Sequence, residues 1–305
     1  MLATLTDKRF SDEDWIFERK LDGERCLAFK DGKKVRLMSR NKKLLNDQYP
    51  EIEEAIQDQE GSFIVDGEIV AFDGQVTSFS KLQNRMHRQK ANRSVKVYYY
   101  VFDILHFAGY DLTHLSQRNR KDVVRDALDY SHDNLRYTEH RNVEGEQFFK
   151  EACRKKWEGL IAKDAKASYK HSRSKKWLKF KCENRQELVI CGFTDPQGSR
   201  KYFGALIVGF YKNGDLHFAG RVGTGYDEDT LKMLYDKMKP LKRDEPPFDV
   251  GDLKKEKDTH WLKPKLVGEF QFTEWTGDDK LRHPSFIGLR EDKKAKDVKK
   301  EEASS

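Results

Sequence analysis

The spacing of hydrophobic residues in the first part of the chain predicts a domain that mixes strands and helices. Residues 27–37 have the pattern of a hairpin with its turn at Asp31-Gly32. Residues 95–105 are dense in Val, Tyr, Phe and Ile, and they give the strongest strand pattern in the chain. Two stretches with helical spacing follow, one at 116–130, which Ser116 can cap, and one at 143–157.

Beyond about residue 181 the pattern changes to short strands with a single helix among them. The pair Asn213-Gly214 between two apolar runs is a strong hairpin signal. Strands are predicted at 187–193, 205–211, 216–222 and 266–273, and an amphipathic helix at 227–238. This arrangement is typical of a small five-stranded barrel such as an OB-fold.

These patterns divide the chain into two domains and a tail. We expect an α+β domain over residues 1–184 and a β-barrel OB-fold domain over 185–293. Residues 294–305 mix Lys with acidic residues and offer almost nothing to bury, so we expect them to be disordered.

The composition of the chain limits which binding partners and which cellular compartment are expected. The 305 residues carry a net charge of +7, which suits either a polyanion such as nucleic acid or a merely soluble basic protein. The four cysteines form no C-x-x-C pair, so we expect free thiols and no structural zinc. The chain has no signal peptide pattern and no long apolar run, which predicts a cytoplasmic protein without a membrane partner.

The first candidate for chemistry is the run Lys20-Leu21-Asp22-Gly23-Glu24-Arg25. A lysine becomes a nucleophile when it is desolvated or lies beside other cations. Gly23 allows a tight turn directly after Lys20, and Arg25 brings a fork of donors to the same place. The alternative is a surface hairpin, because Asp-Gly is a common turn, and this motif alone leaves both open.

Further charged residues recur at strand positions along the first domain. The pair Asp66-Gly67 lies between two apolar runs, 62–65 and 68–72, and Glu68 begins the second run. Glu158 precedes another apolar run. Lys179 and Lys181 alternate with Leu178 and Phe180, so both lysines project to one side of a strand. Two carboxylates can hold Mg²⁺, the cations can hold phosphates, and Phe102 can stack on a base. Such a pocket suits nucleotidyl transfer to an amine.

The order of these segments resembles the covalent nucleotidyltransferase superfamily, which comprises ATP-dependent DNA ligases, RNA ligases and mRNA capping enzymes. The resemblance implies that the first domain is an adenylation (nucleotidyltransferase) domain. The matching segments are Lys20 to Arg25, Ser39-Arg40-Asn41, Asp66-Gly67-Glu68, Phe102-Asp103, Glu158-Gly159, Trp177 to Lys181 and Arg290-Glu291-Asp292-Lys293.

Other segments are similar to bacterial ATP-dependent DNA ligases of the ligase D type, the end-joining group. With nineteen residues before Lys20, we expect no separate N-terminal DNA-binding domain, and none of the polymerase and nuclease domains of full ligase D proteins. The similar segments are the opening Met1 to Leu5, Phe203 to Leu206, Gly220 to Gly225, Phe272 to Thr276 and Leu281 to Phe286.

The resemblance implies a role for each matched residue that contacts the nucleotide or the DNA end. Lys20 becomes the lysine that carries AMP. Glu18 contacts the adenine edge, and Phe102 stacks on adenine. Arg25 contacts ribose and later the nick, and Arg40 helps to bind the nucleotide or the DNA end.

Other roles concern the metal, the phosphates and the leaving group. Glu68 holds ribose and metal, Glu158 helps to hold Mg²⁺ or Mn²⁺, and Lys179 and Lys181 contact the α-phosphate. On the OB domain, Arg290 and Asp292, with Lys293, orient the pyrophosphate during the first step only. A hinge near residues 184–186 is expected to let this domain swing away from the DNA afterwards.

The function implied is an ATP-dependent DNA ligase for DNA repair, which seals 5′-phosphate and 3′-OH breaks in duplex DNA. Its expected partners are duplex DNA with nicks or ends and end-joining proteins, and we expect a monomer. Three alternatives stay open: an RNA ligase, a GTP-dependent capping-type enzyme and a non-catalytic DNA-binding module that kept the fold.

Overall fold

The computed structural model describes residues 1–86, 94–251 and 258–301, and it divides them into two compact units. The first unit spans residues 1–182 and the second 183–301, so the division falls two residues before the predicted boundary. Within the described ranges, no helix has both the length and the apolar character needed to cross a bilayer.

The first unit contains short and long strands with four described helices. Its strands are β1 Leu2–Leu5, β2 Trp15–Lys20, β3 Glu24–Asp31, β4 Lys34–Ser39, β5 Phe63–Asp73, β6 Val76–Thr77, β7 Val97–Phe107, β8 Tyr110–Asp111, β9 Leu135–Tyr137, β10 His140–Asn142, β11 Gly159–Asp164 and β12 Arg173–Lys181. Its helices are α1 Pro50–Gln57, α2 Phe79–Met86, α3 Gln117–Ala127 and α4 Gly145–Arg154.

These strands form two sheets. One sheet has the order β1-β12-β11-β2-β10, and the other has the order β4-β3-β5-β7-β8, in which β6 also pairs with β5 and β9 with β7. The larger sheet packs against apolar residues of α1 to α3, while α4 covers the smaller sheet. The chain leaves the smaller sheet at Lys20 and enters the larger sheet at Glu24, so three residues, 21–23, join the two.

A buried ion pair fixes α3 against the larger sheet. Ser116 caps the helix by accepting a hydrogen bond from the Asn119 amide at 3.2 Å, as its sequence predicts. Arg120 donates to both oxygens of Asp103 at 2.8 and 3.0 Å, and neither side chain is exposed. Gln117 also donates to Asp103. Asp103 is therefore held by the helix, and it fixes the strand that carries Phe102.

The apolar runs 62–65 and 68–72 belong to one strand, because β5 continues through Asp66-Gly67 from Phe63 to Asp73. The pair marks a β-bulge, since the register with β7 shifts between Asp66 and Gly67. A Cβ at Gly67 would lie 2.6 Å from the Tyr100 carbonyl oxygen, which explains why glycine stands there. Apolar runs alone do not distinguish a bulge from a break.

The second unit is a curled antiparallel sheet with one long helix among its described residues. The predicted hairpin turns at Asn213-Gly214, and Asp227 caps α5 through the Thr230 amide at 2.7 Å. Its main sheet has the order β15-β14-β13-β17-β16, with β20 on β17, and β18 pairs with β19. Its elements are β13 Asn184–Thr194, β14 Leu206–Lys212, β15 Asp215–Val222, α5 Glu228–Met238, β16 Lys242–Arg243, β17 Thr259–Phe272, β18 Glu274–Trp275, β19 Leu281–Arg282 and β20 Ser285–Leu289, with 3₁₀ turns at Lys239–Leu241 and Ala295–Asp297.

The tail predicted to be disordered from residue 294 is instead packed on the second unit as far as residue 301. Ala295 and Val298 are buried in its core. The Tyr211 amide donates to the Val298 carbonyl at 2.8 Å, and Tyr211 forms a parallel bridge with Lys299. Two apolar residues three positions apart are enough to pack a 3₁₀ turn against the core. The charged residues around them gave the segment the composition of a disordered tail. Residues 302–305 lie outside the described part of the chain.

The expectation of free thiols is also wrong for two of the cysteines. Cys153 and Cys182 form a disulfide with their Cα atoms 5.3 Å apart, whereas Cys26 and Cys191 are buried and free. Cys153 lies in α4 and Cys182 directly follows β12, so the fold brings them together across a sequence separation of 29 residues. Spacing in the sequence gave no sign of this pair.

We expect that loss of this disulfide destabilises the first unit by about 3 kcal/mol, from the chain entropy that the cross-link removes from the unfolded state. Urea unfolding of the oxidised chain should therefore shift to lower concentration with dithiothreitol. The variant Cys153→Ser/Cys182→Ser should match the reduced chain and ignore the reductant. Thiol labelling that finds all four cysteines free in the oxidised chain would contradict this pairing.

Candidate active site

Lys20 ends β2 and forms an ion pair with Glu158. The Lys20 Nζ lies 2.7 Å from the Glu158 Oε2. Burial disfavours the charged amine, but the carboxylate of Glu158, with Glu68 and Asp22 nearby, outweighs it and raises the pKa of Lys20 above its ordinary value. The amine is therefore protonated at neutral pH in this arrangement. It must lose its proton and leave Glu158 before it can attack an electrophile.

Four charged residues share one face of the smaller sheet. Gly159 pairs with Lys20 on one side and with Lys181 on the other, so no side chain separates the two lysines. Their Cα atoms stand two strand spacings apart, about 10 Å. Glu18 and Lys179 occupy the neighbouring row, where Ile161 stands between them. The alternation predicted for 177–181 thus places Lys179 and Lys181 on the face that carries Lys20.

Gly159 is required by its close approach to β12. Its φ is +150°, and a Cβ there would lie 1.8 Å from the Phe180 carbonyl oxygen. Gly159→Ala should force β11 from β12, move Glu158 from Lys20 and cost about 2 kcal/mol or more. Thermal unfolding and a nucleotide-labelling assay measure both effects. Gly277→Ala is the matched control, because its Cβ meets open space; equal behaviour of the two variants would refute the argument.

Arg25 and Asp66 form a second ion pair, on the larger sheet. Arg25 donates to both carboxylate oxygens of Asp66 at 2.7 and 2.6 Å, and the Tyr169 hydroxyl donates to the same carboxylate at 2.8 Å. Burial opposes both charges, but their mutual attraction lowers the pKa of Asp66 and raises that of Arg25. Glu68 lies directly opposite Arg25 and raises the pKa of both Arg25 and Lys20. Glu68 thus links the two sheets electrostatically.

Phe102 lies on β7 among cations. The Arg25 guanidinium carbon is 4.9 Å from its ring centre, and the Lys163 Nζ is 4.6 Å away. Trp177 meets the ring edge-on at 6.0 Å between centres. Phe102 as a residue is half-buried. The structure thus brings Phe102 near Arg25, in the same unit as Lys20.

Glu18 is buried between two lysines. Lys163 lies 2.7 Å from its Oε2 and Lys121 lies 3.0 Å from its Oε1. Burial favours the protonated carboxyl, but the two ammonium groups outweigh it and lower the pKa of Glu18. For Lys163, burial dominates and lowers the pKa to about 8. Glu18 is therefore an ionised acceptor whose position is fixed.

The remaining predicted residues lie elsewhere. Arg40 directly follows β4 and is exposed. Arg290 and Asp292 belong to the second unit, where Arg290 donates to both oxygens of Asp292 at 2.9 and 2.8 Å. Glu269 and Glu187 also pair with Arg290 at 3.1 and 3.6 Å, and its pKa is raised because the three carboxylates outweigh its burial. Arg290 is therefore already saturated with carboxylates inside its own unit.

The carboxylates present are compatible with Mg²⁺. The described residues contain no group of three or more His, Cys, Asp or Glu that could hold a metal ion by themselves. Mg²⁺ is often held by one or two carboxylates together with substrate phosphates, so it does not need such a group. Glu158 already binds a cation, the Lys20 ammonium, and Glu68 influences the same lysine.

Sequence reasoning missed several residues that the fold brings to this region. Asp66 was noted only as part of the matching segment Asp66-Gly67-Glu68, and Tyr169 and Lys163 received no role. Lys121 stands three residues before Val124 and seven before Leu128, on the apolar face of the predicted helix. A lysine on that face needs a buried partner, and this spacing was the available signal.

Comparison with known proteins agrees with the predicted family. The profile described as ATP dependent DNA ligase domain matches residues 1–181, and the ATP dependent DNA ligase C terminal region matches 199–293. The multifunctional non-homologous end joining DNA repair protein LigD of Mycobacterium tuberculosis is 37% identical over 99% of this chain and 39% of that protein. LigD of Pseudomonas aeruginosa is 32% identical over 97% of this chain and 36% of that protein. The chain thus spans less than two fifths of the length of these relatives.

Solved structures support the same family. Mycobacterial DNA ligase D complexed with ATP and MES superposes with a TM-score of 0.68 at 34% identity, over 97% of both chains. The ligase domain from M. tuberculosis LigD gives a TM-score of 0.52 at 34% identity, over 98% of both chains. These matches confirm the predicted fold class, an adenylation domain followed by an OB-fold-type domain. The chain belongs to the family of ATP-dependent DNA ligases.

Proposed function

We propose that this protein seals 5′-phosphate and 3′-OH breaks in duplex DNA by a lysine that carries AMP. Lys20 attacks the α-phosphate of ATP and releases pyrophosphate. AMP then passes to the 5′-phosphate at the break, and the neighbouring 3′-OH attacks that phosphate and releases AMP. The observation that carries the proposal is the Lys20–Glu158 pair on the sheet face that also carries Lys179 and Lys181.

The charges on this face suit a transfer between phosphates. Phosphoryl transfer depends mainly on positioning and on neutralising negative charge. We assign Lys179 and Lys181 to the α-phosphate, because they share the face of Lys20 and stand one row apart. Arg25 is assigned to ribose and later to the nick, and exposed Arg40 to the nucleotide or DNA end.

The metal is assigned to carboxylates of the same unit. Glu158 and Glu68 would hold Mg²⁺ or Mn²⁺, which would supply further charge neutralisation at the phosphates. Both carboxylates stabilise the protonated form of Lys20 in its absence. Lys20 can act as a nucleophile only when the negative charges of Glu158 and Glu68 are neutralised, which the bound metal would do. The same two carboxylates would then hold the Lys20 ammonium in the resting enzyme and the metal in the reacting enzyme.

The base site is assigned to Phe102 and Glu18. The ring of half-buried Phe102 offers a flat surface for adenine, and Glu18 offers acceptors for its amino edge. Arg290 and Asp292 are assigned to the pyrophosphate in the first step. We further propose a hinge near residues 184–186 that moves the second unit between steps.

The cellular role proposed is DNA repair in the cytoplasm, with duplex DNA that contains nicks or ends as the substrate. The relatives named above are end joining proteins, which supports double-strand breaks as one substrate and end-joining proteins as partners. We propose that the chain acts as a monomer, because one unit supplies the lysine, the carboxylates and the phosphate-binding lysines.

The test supplies the purified chain with α-labelled ATP or GTP and a divalent metal, followed by nicked duplex DNA or RNA. A DNA ligase forms an acid-stable protein–AMP adduct from ATP and seals nicked DNA. Label from GTP would indicate a capping-type enzyme, and preferential sealing of RNA would indicate an RNA ligase. A protein that binds DNA but takes no label is a non-catalytic module, and this outcome would refute the proposal.

A further inference from the structure

Three ionisable side chains from three elements meet inside the first unit: Glu18 of β2, Lys121 of α3 and Lys163 of β11. None of them is more than 2% exposed. Burying charged groups is costly, and well-packed apolar residues of similar volume often give equal stability. Stability alone therefore does not explain why this cluster is charged.

Lys121 has a fixed position that does not depend on Glu18. Its ammonium donates to the Thr138 carbonyl at 2.7 Å and lies 4.2 Å from the centre of the Tyr137 ring. These contacts hold Lys121 beside the Glu18 Oε1, at 3.0 Å. The helix α3 thus presents a fixed positive charge to a residue on the strand that carries Lys20.

Lys163 connects Glu18 to Phe102. Its ammonium lies 2.7 Å from the Glu18 Oε2 and donates to the Phe102 carbonyl at 3.3 Å. It also lies 4.6 Å from the centre of the Phe102 ring. One ammonium group therefore contacts both residues that the proposed function assigns to the base, the acceptor and the stacking ring.

Glu18 retains acceptor capacity beyond its two ion pairs. A carboxylate offers about four lone-pair sites, and the ammonium groups of Lys121 and Lys163 lie 3.0 and 2.7 Å from one oxygen each. A ligand N–H that reached a remaining lone pair would gain a hydrogen bond to an ionised acceptor. Glu18 lies two residues from Lys20 on the same strand face, about 7 Å along the strand. The Glu18 carboxylate is therefore the next side chain on this strand face after Lys20.

We propose that Lys121 and Lys163 are positioning residues that keep Glu18 an ionised acceptor for the 6-amino group of adenine, and that they thereby select ATP over 6-oxo purine nucleotides. The inference rests on the proposed function. An ionised carboxylate only accepts hydrogen bonds, so it attracts a 6-amino group and repels a 6-oxo group. A protonated carboxyl could donate to the 6-oxo group, and the two lysines prevent that protonation.

The test compares ATP with inosine triphosphate, which carries a 6-oxo group and otherwise the same purine outline. Protein–nucleotide adduct formation is measured in single turnover for the wild-type chain, Lys121→Met and Lys121→Arg. Lys121→Met should lower the ATP-to-inosine preference by about 10-fold, the value of one hydrogen bond to a charged group. Lys121→Arg should retain the preference, because it keeps the charge.

Arg125→Met is the matched control, since Arg125 lies on the same helix with exposed partners, Asp122 and Asp126. A folded Lys121→Met chain that slows both nucleotides equally would show a purely structural role and overturn the inference. If that variant does not fold, Glu18→Gln/Lys121→Met replaces it. Its amide can accept or donate, so a wild-type preference in that chain would likewise overturn the inference. Wild-type protein that forms no adduct would refute the proposed function itself.

Discussion

Replacing Lys20 with methionine is expected to abolish the covalent adduct with AMP. Methionine keeps an unbranched chain of similar length, but it has no amine to attack the α-phosphate. Incubation with labelled ATP and a divalent metal, followed by acid precipitation, measures the adduct directly. Intact mass should show wild-type protein with one added AMP and the variant without it.

The same variant separates the chemistry of Lys20 from folding and DNA binding. Lys20→Met leaves Glu158 without its partner, so some loss of stability is expected and thermal unfolding should be recorded. DNA binding should persist, because it depends on phosphate contacts spread over the protein. Lys96→Met is the control, since Lys96 is exposed and forms its ion pair with exposed Asp133. An adduct retained by Lys20→Met would assign the nucleophile to another residue.

The local features of the fold could be predicted from the sequence. The hairpin at Asn213-Gly214, the Ser116 cap and the helix predicted at 227–238 depend on neighbouring residues, and each is observed. The alternation that places Lys179 and Lys181 on one face is equally local. Motif order added the family, which the profile and the relatives confirm. The roles of the individual site residues remain predictions.

Features that join distant segments could not be predicted. Arg25 contacts Asp66 across 41 positions of the sequence. Glu18 lies on the smaller sheet, and its partner Lys121 lies on α3, which packs against the larger sheet. The Cys153–Cys182 pair depends on how α4 and β12 fold back on β11. Each contact follows from sheet order, which short-range patterns do not contain. The lysine on the apolar face of α3 was the one local hint.

Arg290→Ala should slow the first step by about 10²-fold or more, while it leaves the sealing of a DNA strand that already carries AMP unchanged. Its fork of donors suits a pyrophosphate, whose charge grows as it leaves. In this structure the guanidinium instead pairs with Asp292, Glu269 and Glu187. To assist the leaving group, Arg290 must exchange at least some of these carboxylates for phosphate oxygens.

The two steps distinguish this role from a structural one. Removing Arg290 leaves three carboxylates close together, with Lys293 as a counter-charge to Glu187, so the second unit should also lose stability. A structural defect would slow labelling by ATP and sealing of pre-adenylated nicks together. A leaving-group role slows the labelling alone, because AMP is already on the DNA in the second assay. The control is Lys232→Ala, which breaks an exposed ion pair with Asp236 on the same unit and should slow neither step. Equal losses in both assays for Arg290→Ala would exclude a role confined to the first step.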